Sequence, residues 1–231
     1  MKLKNLILTL SVIILIGCTS DSPSESTSHL NKEQSKEALN NGGFNVLGKV
    51  LPFFGPLTVL DGDTSFYQIP KFYLTDQDGE GLGYSTFDGK IMVVDFFFTT
   101  CSTICPIMTS EMEKLQRRLK EDHAMEQVRF LSVTINPETD TPETLKSYAV
   151  EKGADLNYWK FATGELAYID ELSKEGFFLA VDRDAAYQDG IIHSSQLILV
   201  DADRHIRGSY DGIDKDEMDR LFKDIKALEN E

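Results

Sequence analysis

The sequence predicts an α/β sandwich, a central sheet flanked by helices, and three observations carry that prediction. The run Ile91-Met-Val-Val-Asp-Phe-Phe-Phe98 is apolar on both faces except at Asp95, as in a strand inside a sheet covered on both sides. Strand patterns alternate with helical patterns around it, the order of a layered α/β domain. The chain closes on a late hairpin and an amphipathic helix. With 231 residues, 41% hydrophobic and 26% charged, there is material for one domain with a real core and appendages. A formal charge of −15 makes nucleic acid an unsuitable partner and is accounted for by solubility.

Lys2 and Lys4 precede an apolar run, Leu6 to Ile16, that is too short for a comfortable membrane span and reads as a secretory signal. Its ending, Leu15-Ile16-Gly17-Cys18, resembles a bacterial lipobox, in which the cysteine is lipidated and becomes the first mature residue. An ordinary signal peptide or an uncleaved anchor is the alternative. Lipidation of Cys18 also accounts for an odd count of three cysteines, since it leaves a pair. Residues 1–17 are then the signal and residues 18–43, rich in Ser, Asn and Glu and nearly free of apolar side chains, a flexible tether. His29 lies in it and is solvated. Residues 44–67 carry scattered apolar residues and turn signals and form an N-terminal extension, a short hairpin packed on the domain of residues 68–231.

In that domain Ile69 to Asp76 alternates and Gln77-Asp78-Gly79-Glu80 turns, which predicts a hairpin. Asp88-Gly89-Lys90 launches the central strand, where Asp95 needs a partner because a buried carboxylate alone is costly; a structural role is preferred for it. After Pro106, Met108, Met112, Leu115 and Leu119 recur at helical spacing. Met108 could offer a thioether, but its spacing assigns it to the core. Val128 to Thr134 is the next strand. Thr141 caps a helix that has Pro142 at its first position and runs to about Lys152. A strand at Trp159 to Ala162, a helix at Glu165 to Lys174, and strands at Phe177 to Val181 and Ser195 to Val200 follow, the last two joined by an acidic loop. Asp201 to Arg204 turns into a strand from His205 to Tyr210, and Asp214 to Leu228 is the closing helix. His123 and His205 read as surface residues.

Cys101 and Cys105 stand where the central strand meets the helix begun by Pro106. Free N–H groups and the dipole at a helix start favour thiolate over thiol, lowering a pKa near 8.5 by a unit or more. Four helical residues rise about 6 Å, within reach of a disulfide. The pair can cycle between dithiol and disulfide, or present two soft sulfurs to one metal ion. A permanent staple is the weaker alternative, because closing three intervening residues removes little unfolded-state entropy.

A strand–Cys–Cys–helix unit resembles the thioredoxin superfamily, although thioredoxin-type oxidoreductases use Cys-x-x-Cys. The three-residue gap followed by Pro106 is similar instead to the SCO/SenC family of copper-binding assembly factors for cytochrome c oxidase. Phe97-Phe98-Thr99-Thr100-Cys101 resembles that family's approach to its motif. Asn136-Pro137-Glu138-Thr139-Asp140-Thr141-Pro142 resembles its Asp-Pro-Glu-x-Asp-Thr-Pro loop, and His193-Ser194 its Asp-His-Ser element. The resemblance spans about Gln68 to Leu228. Ser102 stands where many members have Pro, Asn136 replaces an Asp, and Ile192 replaces an acid that would orient the histidine.

The resemblance implies a thioredoxin-like sandwich in which Cys101, Cys105 and His193 hold one copper ion. Thiolates favour Cu(I), and an added imidazole also accommodates Cu(II). Oxidation of the pair would delete two ligands. The implied function is a lipid-anchored, envelope-facing (periplasmic) copper chaperone for the binuclear copper centre of a respiratory oxidase. Its partners would be the copper-accepting oxidase subunit, a copper donor or thiol reductant, and a membrane. The alternative is an enzyme, a thiol–disulfide reductase working through Cys101 and Cys105. A thiol peroxidase is weaker still: Ser102-x-x-Cys105-Pro106 echoes its motif, but Phe98 stands where a proline is needed.

Overall fold

The computed structural model describes residues 51–60, 63–179, 181–182 and 192–231, with the side chains of Asp182, Ile192 and His193 outside that description. The predicted sandwich is what forms. A mixed seven-stranded sheet runs in the order β11-β10-β5-β6-β7-β3-β4. Its centre is β5 (Ile91–Phe97), parallel to β6 (Val128–Thr134), which is parallel to β7 (Trp159–Thr163). On one side β10 (Gln196–Val200) and β11 (Ile206–Asp211) add antiparallel, and on the other β3 (Tyr73–Asp76) and β4 (Gly81–Gly83) do so.

Every residue of β5 is buried, as its two-sided apolarity requires. Successive side chains face opposite layers. Phe97 meets Tyr148 of helix α2 (Pro142–Glu151) with ring centroids 5.4 Å apart, while Phe96 meets Phe177 at 5.5 Å. Helix α1 (Cys105–Glu121) buries Met108, Met112, Leu115 and Leu119, so Met108 is core as its spacing predicts. The closing helix α4 (Lys215–Leu228) is capped by Asp214, which accepts from the N–H groups of Asp216 and Glu217. Thr141 caps α2 in the same way through the N–H of Thr144. No helix among the described residues is long and apolar enough to cross a membrane.

The N-terminal extension does hold a hairpin, β1 (Leu57–Leu60) with β2 (Asp63–Phe66). It is fastened to the domain by Arg207, 3% exposed, which donates to the carbonyls of Leu51 and Pro52 and pairs with Asp201 and Glu231 at 2.9 and 2.8 Å. His205, expected at the surface, is instead half-buried. Its Nδ1 lies 3.3 Å from Asp201, and its ring meets Phe53 edge-on. The extension supplies that cover, and the sequence around His205 gives no sign of it.

Several predicted elements differ. The first hairpin strand begins at Tyr73, not Ile69. The late strand is displaced by one residue to Ile206–Asp211, after Arg204 at φ 73°. The helix expected from Glu165 to Lys174 is α3 (Leu166–Glu171) followed by a π-turn, Leu172–Gly176, in which Phe177 N–H reaches Leu172 O at 3.1 Å. Phe178 then adopts φ 57°, a left-handed conformation no strand tolerates. The strand expected from Phe177 therefore shrinks to β8 (Val181–Asp182), paired with β9 (Ile192–His193).

Candidate metal centre

Strand β5 ends at Phe97, and the chain turns over Thr99 and Thr100 into α1. The cap position of α1, Ile104, provides no side-chain acceptor, and Pro106 has no N–H to satisfy. The first helical N–H, that of Cys105, donates to Cys101 Sγ at 3.5 Å. The sulfur thus takes the place of the missing cap. Thr103 Oγ1 lies 3.6 Å from the same sulfur. Both cysteines are thiols, Cys101 6% and Cys105 0% exposed.

Burial pushes the Cys105 thiol well up, and the neighbouring Cys101 adds to this, against a backbone hydrogen bond from Phe98. That reverses the lowering expected at a helix start. Desolvation of the charged form outweighs the dipole once the sulfur is cut off from water. A metal cation restores what burial removes, since it pairs with the thiolate charge inside the site. Soft sulfurs in a dry setting suit a soft cation such as Cu(I).

The floor of the site is polar and satisfied. Thr109 Oγ1 donates to Cys105 O and meets Tyr148 Oη, both at 2.9 Å. Deeper in, Ser132 Oγ donates to Asp95 Oδ1 at 2.5 Å and accepts from Trp159 Nε1 at 2.9 Å. Burial raises the Asp95 carboxyl from 3.8 to about 7. The partner Asp95 required is therefore Ser132. From the Asn136–Pro142 loop, Asp140 accepts from the N–H and hydroxyl of Thr99 and from the hydroxyl of Thr134.

His193 is described by its backbone alone, opposite Val181 in the β8–β9 pair. Strand β10 runs antiparallel to β5 with Ile198 opposite Val94, so the chain enters β10 from the end of the sheet at which β5 releases the cysteines. Ser195 O accepts from Gly212 N–H at 2.8 Å, and a Cβ on Gly212 would sit 3.2 Å from Met108 Cγ. Gly212 thus lies between the segment after His193 and Met108, which stands on α1 three residues beyond Cys105. Cys18 lies outside the described residues. Among those described, no cluster of three or more His, Cys, Asp or Glu is arranged to hold a metal ion. Thr109, Tyr148 and Gly212 give no signal in the sequence, and Thr99 gives none beyond the resemblance of its stretch, because their roles rest on contacts across the fold.

A mixed sheet whose central parallel strand delivers two thiols to the mouth of a helix defines a thioredoxin-like dithiol domain. The family model described as SCO1/SenC matches residues 62–229. The chain belongs to the SCO1/SenC family. Among solved structures, a SCO1/SenC family lipoprotein from Bacillus anthracis str. Ames is 34% identical with a TM-score of 0.65, covering 71% of this chain and 95% of that one. BsSco, a member of the Sco family of cytochrome c oxidase assembly proteins in which a disulfide switch is identified, is 32% identical with a TM-score of 0.64, covering 71% and 94%. Bradyrhizobium japonicum ScoI with copper bound, 23% identical, shares the fold with a TM-score of 0.59 over 70% and 99%.

Proposed function

We propose that this chain is a lipid-anchored copper chaperone of the cell envelope, serving assembly of the binuclear copper centre of a respiratory cytochrome c oxidase. Copper is its cargo, held by Cys101, Cys105 and His193. The observation that carries the reading is the Cys105 N–H donating to Cys101 Sγ, which holds two buried sulfurs at one helix mouth. The sheet order supports the third ligand, since the His193 segment reaches β10 at the cysteine end. Membership of a family whose relative BsSco is an oxidase assembly protein supports the pathway, and the copper-bound ScoI supports the cargo. Lipidation at Cys18 is supported by the lipobox and by the Bacillus anthracis lipoprotein of the same family.

Release follows from thiol chemistry. With copper bound the two sulfurs are already thiolates; when the pair passes two electrons to a disulfide oxidant, which takes two protons from solvent and becomes two thiols, an S–S bond forms and both sulfur ligands are lost. The copper then leaves for its acceptor.

The test is retention of Cu(I) by the reduced full chain through exhaustive dialysis. One copper per chain is expected, lost on Cys101→Ser or Cys105→Ser. A chain that loses all copper while reducing disulfides, with a rate unchanged by His193→Ala, would make thiol–disulfide reductase the correct reading.

A further inference from the structure

One loop-and-helix unit grips both cysteines. Asp140 is wholly buried. Its Oδ2 accepts from the Thr99 N–H at 3.1 Å and from the Thr134 hydroxyl, and its Oδ1 accepts from the Thr99 hydroxyl. Thr99 stands two residues before Cys101, whose own N–H returns to Phe98 O at 3.3 Å. Ile135 N–H donates to Phe97 O at 2.8 Å, so the loop also holds the end of β5. Eight residues beyond Asp140, on the helix the loop launches, Tyr148 takes the other arm. Thr109 Oγ1 spends its only proton on Cys105 O, so the Tyr148 hydroxyl donates to Thr109.

From this geometry we propose that Asp140 is a positioning residue for the dithiol. By locking Thr99 it holds Cys101 Sγ against the start of α1 and so raises the effective concentration of one sulfur at the other. Any process needing both sulfurs together, disulfide closure or two-sulfur metal binding, gains from an ordering cost already met in the fold. The inference rests on Cys101 and Cys105 as the working pair, but not on copper.

The experiment uses the metal-free chain carrying Cys18→Ser, which leaves only the pair to titrate, equilibrated with reduced and oxidised dithiothreitol. Two protein thiols become one disulfide while oxidised dithiothreitol takes up the two electrons and two protons. Asp140→Ala is expected to lower the equilibrium constant for disulfide formation about tenfold, a rise in potential of about 30 mV for a two-electron couple. Asp140→Asn, which can accept from the Thr99 N–H and donate to its hydroxyl oxygen, should restore it to within about threefold. Thr99→Val should cost about threefold and stands in if Asp140→Ala does not fold. Thr141→Ala removes the α2 cap from the same loop without touching Thr99, and should lower thermal stability but leave the equilibrium constant unchanged.

A wild-type equilibrium constant in folded Asp140→Ala, or in Thr99→Val where the former does not fold, overturns the proposal. So does a Thr141→Ala shift as large as that of Asp140→Ala. Because no metal is present, these outcomes are independent of whether the wild-type chain retains copper.

Discussion

The backbone N–H of Cys105 donates to the sulfur of Cys101 across 3.5 Å, in the position a capping side chain would otherwise occupy at the start of α1. The two thiols are therefore unlike. Cys101 lies at the edge of the site, and Cys105 is shut away with its pKa pushed up by burial.

Alkylation should separate them. In the metal-free reduced chain iodoacetamide at pH 8 is expected to modify Cys101 at least about tenfold faster than Cys105, because the thiolate is the reacting form and access limits its attack. Peptide mass mapping over time measures both rates. Equal rates would show that Cys105 is neither buried nor protonated as described.

Cys105 also sets a pH dependence. Its thiol is protonated across the neutral range, so binding a metal as thiolate must release that proton. Copper affinity should rise about tenfold per pH unit for each proton released between pH 6 and 8. Competition with a chelator whose own protonation is known measures it, and a flat profile would contradict metal binding through the Cys105 thiolate.

Asp95 yields a prediction of stability. Burial raises its carboxyl from 3.8 to about 7, so the folded chain holds this proton more tightly than the unfolded one. Its contribution is most favourable below pH 4, declines as pH rises to 7, and above that leaves a penalty of about 4 kcal/mol at most. Asp95→Asn keeps an acceptor for Ser132 and should remove about one proton from the slope of stability against pH between 5 and 7, followed by urea denaturation. The sole tryptophan, Trp159, is hydrogen-bonded to Ser132, so its emission should titrate near pH 7 in the wild type and not in the variant.

Arg207 should hold the extension to the domain. Arg207→Ala strands Asp201 and Glu231 and frees the carbonyls of Leu51 and Pro52, a loss of roughly 3–5 kcal/mol for a broken buried pair. Hydrogen exchange in residues 51–66 should accelerate more than in β5. Uniform acceleration throughout would show that Arg207 supports the whole core rather than this attachment.

The elements legible in the sequence were those with one dominant local cause. Val128–Thr134 is legible to the residue because its pattern is continuous, and the existence of α1, though not its ends, because four apolar residues mark one stripe. The π-turn and the left-handed Phe178 were not, since nothing in Phe177 to Val181 departs from a strand pattern. At the site, the two cysteines stood out by spacing, and the Asn136 to Pro142 loop by resemblance. What the loop does was hidden, because Asp140 reaches Thr99 across 41 positions. The upward shift of Cys105 is not legible in the sequence for a related reason: the helix start is local, whereas the burial that overrides it is supplied by the whole fold.

Copper-edge X-ray absorption of the copper-loaded full chain tests the central claim most directly. The account predicts two sulfur scatterers and one imidazole nitrogen around one copper, with the imidazole signal lost in His193→Ala and sulfur lost with either cysteine. A shell of nitrogen and oxygen alone, or an unchanged spectrum in His193→Ala, would contradict it.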